Sequence, residues 1–439
     1  MSSDTRTERF KLLLIAESAN PEWTSVPIVG WSHSQAISQL ADVHLVTHIR
    51  NRNAISRAGL IEGRDFTVID TEVLDRPMYR LASYMRGGRE KGWSTITAFM
   101  SISYYLFEYS VWRHFGEDIK NRRFDIVHRL TPLTPSAPSL LAKRCYRVGV
   151  PFVIGPLNGG VPWPREFQHV RRLEKEWLSK VRYMYRLMPG YHATRKYASC
   201  IIVGSRVTFN QMPKRYWNKC VYIPENAIDT SRFTKQRNGG YKKPLKAIFV
   251  GRLVCLKGVD MLIEAAAPLI KRGDLVVDII GEGPTRVNLE AQANVLGVRQ
   301  GVQFYGKLPH TAIQDKLVDC DVFVFPSIRE FGGAVVLEAM AVGIIPIVMN
   351  YGGPGELVTT QCGFLIPMSN RDAIIRQIHE TLSRIIEQPD ILTAKSKAGI
   401  SRVHKYFTWE AKARQVLEVY QWVTGYGDKP EFQFAESSN

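Results

Sequence analysis

Acidic residues are in deficit in this sequence. There are 41 Asp and Glu against 58 Lys and Arg, a formal net charge of +17. A surplus that large points to anionic partners: phosphorylated substrates, an anionic membrane surface or nucleic acid. No recognised nucleic-acid motif accompanies the charge, so nucleic acid is not expected as a partner. Cysteine is scarce and scattered. Cys145, Cys200, Cys220, Cys255, Cys320 and Cys362 include no C-x-x-C pair, which argues against a zinc site or a redox motif. Free buried thiols fit a reducing compartment. Long apolar runs are missing too. Residues 12–15 are apolar, but Glu17 and Asn20 follow at once, leaving too short a core for a signal peptide. The best remaining candidate, 99–109, is short for a membrane span and carries Glu108. There is no low-complexity tract and no repeat at a solenoid period. These absences predict a cytoplasmic chain that does not span a membrane, with peripheral contact at its inner face left open.

What is present is length and alternation. A chain of 439 residues is too long for one ordinary core, and two domains are the natural expectation. Short β-type runs at 11–16, 43–47, 124–128, 151–154 and 200–203 alternate with helical patterns such as 32–40 and 136–147. The pattern restarts with strands at 246–250, 275–280, 302–305, 321–325 and 345–349, and with a helix over 259–271. Such alternation predicts an α/β chain with two Rossmann-like doubly wound domains, parallel sheets covered by helices. The expected division is 1–215 and 216–408. A helix over 409–425 then packs on either domain, the first included, and a polar tail covers 426–439. The polar stretch 235–244 reads as a surface loop just inside the second domain.

Three turns of the second half carry the chemistry. In 326–354 a strand ends at Pro326, a loop carries Glu330, Phe331, Gly332 and Gly333, and a helix follows with Glu338 inside it. Paired glycines before a helix let the backbone approach a ligand, and a helix N-terminus offers unpaired N–H groups to phosphate. Glu338 sits among Val335, Val336, Leu337, Ala339 and Met340, so its carboxylate needs a partner, and hydroxyl donors would serve. The second turn, Gly251-Arg252 with Lys257-Gly258, sets two cations after a strand, which suits a diphosphate. The third is Gly281-Glu282-Gly283-Pro284. All three close strands of one sheet at the carboxyl ends, where open α/β folds bind ligands. Asp319 and Asp321 form a D-x-D, but Asp321 opens a buried strand and reads as structural, so no metal site is expected.

Glu330 to Glu338 resembles the E-x7-E motif of retaining glycosyltransferases with the GT-B fold, family 4 or group 1. The run VGRLVCLKGVD, IIGEGP, FYGKLPH and CDVFVFPS resembles that family's donor domain, and PENAIDTSRF its interdomain stretch. In the first half FDIVHRLTP carries a weaker likeness. The resemblance implies a cleft between the two domains and a hexosyltransferase-like, metal-independent enzyme. No cofactor would be bound permanently, and a nucleotide-diphosphate sugar would serve as co-substrate. Glu330 would hold donor-sugar hydroxyls and Glu338 the ribose hydroxyls. Arg252 and Lys257 would neutralise the diphosphate as it leaves. Gly332 and Gly333 would assist through backbone N–H groups. Donor contacts would extend over Gly30, Gly251, Gly283, Lys307, Leu308, Phe331 and Ala334.

The chain departs from the family at 155–160, which reads GPLNGG where many relatives carry a His. Asn158, Gly159 and the nearby Trp163 are then the acceptor-side candidates, while His128 and His169 are not taken as substitutes. Gly30 stands alone in the first turn, with Trp31 next. On a helix over 165–196, Arg171, Lys175, Arg182 and Arg186 form a basic stripe opposite Leu173, Trp177, Val181, Met184 and Met188. Such a helix suits an anionic membrane or a lipid phosphate, and equally suits packing on a core with its cations in water. The aromatic stretch 99–115 reads as core rather than an acceptor groove. The expected activity is sugar transfer to a lipid-linked or polysaccharide-precursor acceptor: a sugar, a glycolipid or a polyprenyl-linked chain. Transfer to a soluble small molecule and a silent nucleotide-sugar-binding fold are the alternatives.

Overall fold

The computed structural model describes residues 8–72, 93–173, 185–237 and 241–434. The apolar run near the N-terminus forms β1 (Lys11–Ala16), buried from its second residue onward. A strand with both faces covered has to be apolar, and this one is beyond the exposed Lys11. Around it stand β2 (Asp42–His48), β3 (Phe66–Ile69), β4 (Ile126–Thr131), β5 (Phe152–Leu157), β6 (Cys200–Val203) and β7 (Cys220–Tyr222). They form one parallel sheet in the order β3-β2-β1-β4-β5-β6-β7. A second parallel sheet contains β8 (Leu245–Val250), β9 (Leu275–Ile280), β10 (Val302–Gly306), β11 (Val322–Phe325), β12 (Ile345–Met349) and β13 (Phe364–Ile366). Its order is β10-β9-β8-β11-β12-β13. Both orders reverse at their first strand. This is the doubly wound arrangement, with its ligand crevice at the reversal.

Some boundaries differ from the sequence pattern for local reasons. Helix α1 (Val26–Ser38) begins before the expected 32, because Pro27 fits the first helical turn, where no N–H is needed. β4 begins at Ile126 rather than 124. Asp125 instead receives a hydrogen bond from the Lys11 amide at 2.8 Å, closing the mouth of the strand pair. Helix α2 (Trp93–Lys120) buries Phe107, Val111, Phe115 and Ile119 against the first sheet. Their spacing of four makes one helical stripe, so this aromatic stretch is core. The helix expected over 136–147 forms only as α3 (Leu141–Arg147). Pro132, Pro135 and Pro138 bias the residues before them away from helix and hold the lead-in extended. Helix α4 (Tyr191–Tyr197) packs beside α3.

Contacts divide the chain into two compact units. The first holds Met1–Gly160, Glu174–Glu225 and Trp409–Phe432. The second holds Val161–Leu173, Asn226–Thr408 and Gln433–Asn439. The helix over Trp409–Thr424 therefore lies in the first unit, where Ala413, Val416, Val419 and Tyr420 join the core beneath β1 and β4. Burying Val416 and Val419 contributes roughly 1.5–3 kcal/mol apiece. All six cysteines are free, and five of them are buried. Among the described residues no helix is long and apolar enough to cross a membrane.

Candidate active site

The second unit gathers its turns along the carboxyl edge of β8, β9, β10 and β11. Backbone bonds knit them together. The Gly251 amide donates to Ile280 at 2.9 Å, Leu253 to Glu282 at 2.9 Å, and Ile328 to Leu256 at 2.9 Å. A Cβ on Gly281 would lie 1.8 Å from the Gly251 carbonyl oxygen, so only glycine lets these two turns touch. The three turns read from the sequence are thus one continuous surface.

Lys257 and Glu330 meet on this surface as an ion pair, with side chains 16% and 20% exposed. The Lys257 ammonium also lies 4.7 Å from the centre of the Phe325 ring, a cation–π contact. Five residues earlier, Arg252 is exposed, and its side chain has no hydrogen bond or ion pair among the described residues. One cation is therefore neutralised by Glu330 and its neighbour in sequence is open to an anion. Gly306 closes β10 and accepts the Gly281 amide at 2.8 Å, which sets the exposed Lys307 and the half-buried Leu308 on the same edge.

Beyond Glu330 the chain runs through exposed Phe331 and half-buried Gly332 to Gly333, whose φ of +82° is left-handed. Gly333 caps a helix, α5 (Ala334–Ala341), and supplies no side chain to its first N–H groups. The Val336 amide bonds back to the Gly333 carbonyl at 2.9 Å, and the amides of Ala334 and Val335 ahead of it are left to water or to an anionic ligand. Glu338 is half-buried within α5, flanked by buried Val336, Leu337, Ala339 and Met340.

Arg329 was not singled out by sequence reasoning. Its Nε donates to the Val161 carbonyl at 2.9 Å. Its guanidinium carbon lies 4.9 Å from the Trp163 ring centre and 5.0 Å from that of Phe331. Tyr351 adds a bond from its hydroxyl to the Pro162 carbonyl at 2.9 Å. The segment Val161–Leu173 is grouped with the second unit, and these contacts seat it beside Glu330. Trp163 is buried there, with its indole N–H unpaired among the described residues. Only the adjacency of Arg329 to Glu330 hinted at this in the sequence.

The other expected residues lie in the first unit. Gly30 is buried within α1, where a Cβ would meet the Ser18 carbonyl oxygen at 2.1 Å, so close packing accounts for it. The Asn158 amide donates to Leu133 at 2.7 Å, and the Thr208 hydroxyl donates to the Gly159 carbonyl at 3.2 Å. That loop is held by its own unit. His128 is fully buried, its Nδ1 2.6 Å from the Tyr420 hydroxyl and its Nε2 2.8 Å from the Gly155 carbonyl. The carbonyl accepts only, so Nε2 carries the proton and Nδ1 accepts from the tyrosine. Burial pushes its pKa down to about 4. This is a structural histidine. Asp321 is structural as well, paired with Arg237 and accepting the Lys246 amide at 2.8 Å. Among the described residues no three His, Cys, Asp or Glu gather as for a metal. Of the basic stripe proposed over 165–196, Lys175 and Arg182 lie outside the described residues.

Residues 230–397 match the family model for glycosyl transferases group 1. A GDP-mannose-dependent monoacylated alpha-(1-6)-phosphatidylinositol monomannoside mannosyltransferase of Corynebacterium glutamicum is 28% identical over 319 residues. That alignment takes in 70% of this chain and 78% of that protein. An uncharacterized glycosyltransferase of Methanocaldococcus jannaschii is 31% identical over 175 residues, 40% of this chain and 44% of that protein, so the chain spans less than half of that relative. Among solved structures, HepE of Anabaena in complex with UDP superposes with a TM-score of 0.59 at 14% identity. The match covers 93% of this chain and 99% of that one. The likeness shows the fold: two Rossmann-like units of the GT-B kind.

Proposed function

We propose, on the premise of a group 1 glycosyltransferase of the GT-B fold, that this chain moves a sugar from a nucleotide-diphosphate sugar to an acceptor. The observation that carries the reading is the Lys257–Glu330 pair beside the open Arg252. Breaking a sugar–phosphate bond builds negative charge on the departing diphosphate, and preorganised cations stabilise that charge most where water is partly excluded. Arg252 meets the diphosphate first. The phosphates then compete with Glu330 for Lys257, and the freed carboxylate accepts hydrogen bonds from the donor sugar. Glu338, half-buried in α5, takes the ribose hydroxyls. The first N–H groups of α5 face the phosphates. No side chain serves as a covalent nucleophile, and no metal is needed where two cations and a helix end supply the charge. Retention of configuration follows the family 4 resemblance of Glu330 to Glu338.

The acceptor in this reading is lipid-linked or a polysaccharide precursor, met by a peripheral enzyme at the inner face of a membrane. The name of the corynebacterial relative, GDP-mannose-dependent and directed to a phosphatidylinositol monomannoside, supports a nucleotide-sugar donor and a lipid-linked acceptor. The test is calorimetric titration with uridine, guanosine and adenosine diphosphates and their sugars. One base should bind in the micromolar range, and the product's anomeric configuration should match the donor's by NMR. If no nucleotide binds folded protein at millimolar concentration, the reading fails.

A further inference from the structure

Among its described residues the first unit carries an outer face built from two stretches without acidic side chains. Residues 126–165 and 185–224 contain no Asp or Glu, although the whole chain has 41. Within these stretches α3 and α4 pack side by side and, with the turn Lys214–Lys219, turn one surface outward. Lys143, Arg147, Lys196, Lys214 and Arg215 are all exposed on it. The elements are joined across their outer sides. The Lys143 ammonium lies 5.9 Å and that of Lys196 5.4 Å from the Tyr197 ring centre, and Arg215 reaches His192 at 3.0 Å. The neighbouring acids of α2 do not offset this charge, because Glu108 is buried, Glu117 is paired with Lys120 and Asp118 with Arg123.

The same face exposes large apolar side chains. Tyr146 is 64% exposed and Leu187 82%, with Tyr109, Leu106 and Leu140 exposed around them. Tyr146 packs its ring 5.0 Å from Tyr197, and Arg144 lies 5.1 Å from the Trp112 ring centre, so cations and rings interleave. A water-facing surface gains nothing from exposed tyrosine and leucine. A bilayer interface takes both, burying the rings at headgroup depth while Lys and Arg meet lipid phosphates.

We propose that this face, formed by α3, α4 and Lys214–Lys219, docks on an anionic lipid membrane. The inference rests on the reading that the acceptor is lipid-linked, and names the surface by which the enzyme meets it. Charge complementarity selects the occupant: an acid-free surface repels no phosphate, and its exposed aromatic and aliphatic groups favour lipid over a purely polar polyanion.

The experiment is co-sedimentation of the full chain with vesicles of phosphatidylglycerol and phosphatidylcholine, against pure phosphatidylcholine. Wild type should bind the anionic vesicles, release as salt is raised to 0.5 M, and ignore the neutral ones. Lys143→Gln, Arg147→Gln and Lys196→Gln together should lower the partition coefficient about a hundredfold, at about fivefold for each cation. Leu187→Ser with Tyr146→Ser should weaken binding in a way that salt does not reproduce. All of these positions are exposed, and the variants should keep the wild-type melting temperature and nucleotide-diphosphate affinity. Wild type that stays in solution, a triple variant that binds as wild type does, or preference for duplex DNA over vesicles would each overturn the proposal. Nucleotide binding without vesicle binding would remove this face and leave the donor-site reading standing.

Discussion

Arg329 and Val161 are joined by a 2.9 Å hydrogen bond although 168 residues separate them in the chain. The bond brings the segment that follows β5 to the shoulder of Glu330. The guanidinium fills the gap between Trp163 and Phe331, so one side chain fixes both the backbone and the rings on either side. A planar, delocalised cation does this well, and an ammonium does not.

Arg329→Ala should therefore lower kcat/KM about tenfold to a hundredfold, the loss of one charged hydrogen bond and two stacking contacts. Arg329→Lys should recover only part of it. Steady-state kinetics on the three proteins decide the matter. A change in melting temperature with unchanged kcat and KM would make the contact purely structural.

Glu330→Gln keeps the shape of the side chain and removes its charge. Lys257 then loses its ion pair and, in the proposed reading, the donor sugar loses its acceptor carboxylate. Turnover should fall by roughly two to three orders of magnitude, the scale seen when one transition-state contact is removed. Circular dichroism should remain that of wild type. Near-normal turnover would take the assigned role from Glu330.

Arg252→Ala removes the open cation at the end of β8. Affinity for the nucleoside diphosphate should fall roughly tenfold to a hundredfold, as for a charged hydrogen bond. Its dependence on salt should flatten at the same time. Calorimetry at two ionic strengths reads both effects, and unchanged affinity would move the phosphate site elsewhere.

Gly281→Ala places a methyl against the Gly251 carbonyl. The two turns must part, at a cost of roughly 1–3 kcal/mol for strained backbone. A lower denaturant midpoint should come with weaker nucleotide binding, because the turn that moves also carries Arg252. Unchanged stability and affinity would show that the turns are not coupled.

His128 gives stability a pH dependence of fixed sign. The unfolded ring titrates near 6.5, and burial holds the native one down to about 4. As pH falls below 6.5 the unfolded chain takes up a proton that the native state refuses, so stability is lost until pH reaches about 4. A displacement of that size corresponds to ~3 kcal/mol. His128→Gln should flatten this slope while lowering stability at pH 7. Urea unfolding at pH 7, 5.5 and 4.5 measures both, and an unchanged slope would assign the acid loss to other groups.

The parallel sheets were legible because β11 throughout, β1 beyond Lys11 and β8 beyond Lys246 are buried and so read as continuous apolar runs. The short strands β3, β7 and β13 were not read, since each is only partly buried, whereas β6 and β11, no longer than β3, are buried at every residue. The site divides the same way. Glu330, Gly333 and Lys257 are visible as local turns between strand and helix. The Lys257–Glu330 pair and the Arg329–Trp163 stack are tertiary, and no spacing within one segment encodes them. The bonds from Thr208 and Gln211 to the carbonyls of Gly159 and Gly160 are tertiary in the same way, and nothing within 158–160 announces them.

The chain's passage between its units bears on how the molecule can be divided. A fragment cut at 225 and 408 to carry only the second unit would lack Val161–Leu173 and so the partners of Arg329 and Tyr351. The remainder, stripped of Trp409–Phe432, would expose the apolar underside of β1 and β4 to water. A graft that transplants the second unit onto another first unit has to carry 161–173 with it and leave the helix Trp409–Thr424 behind, so the separable module is not a contiguous stretch of sequence.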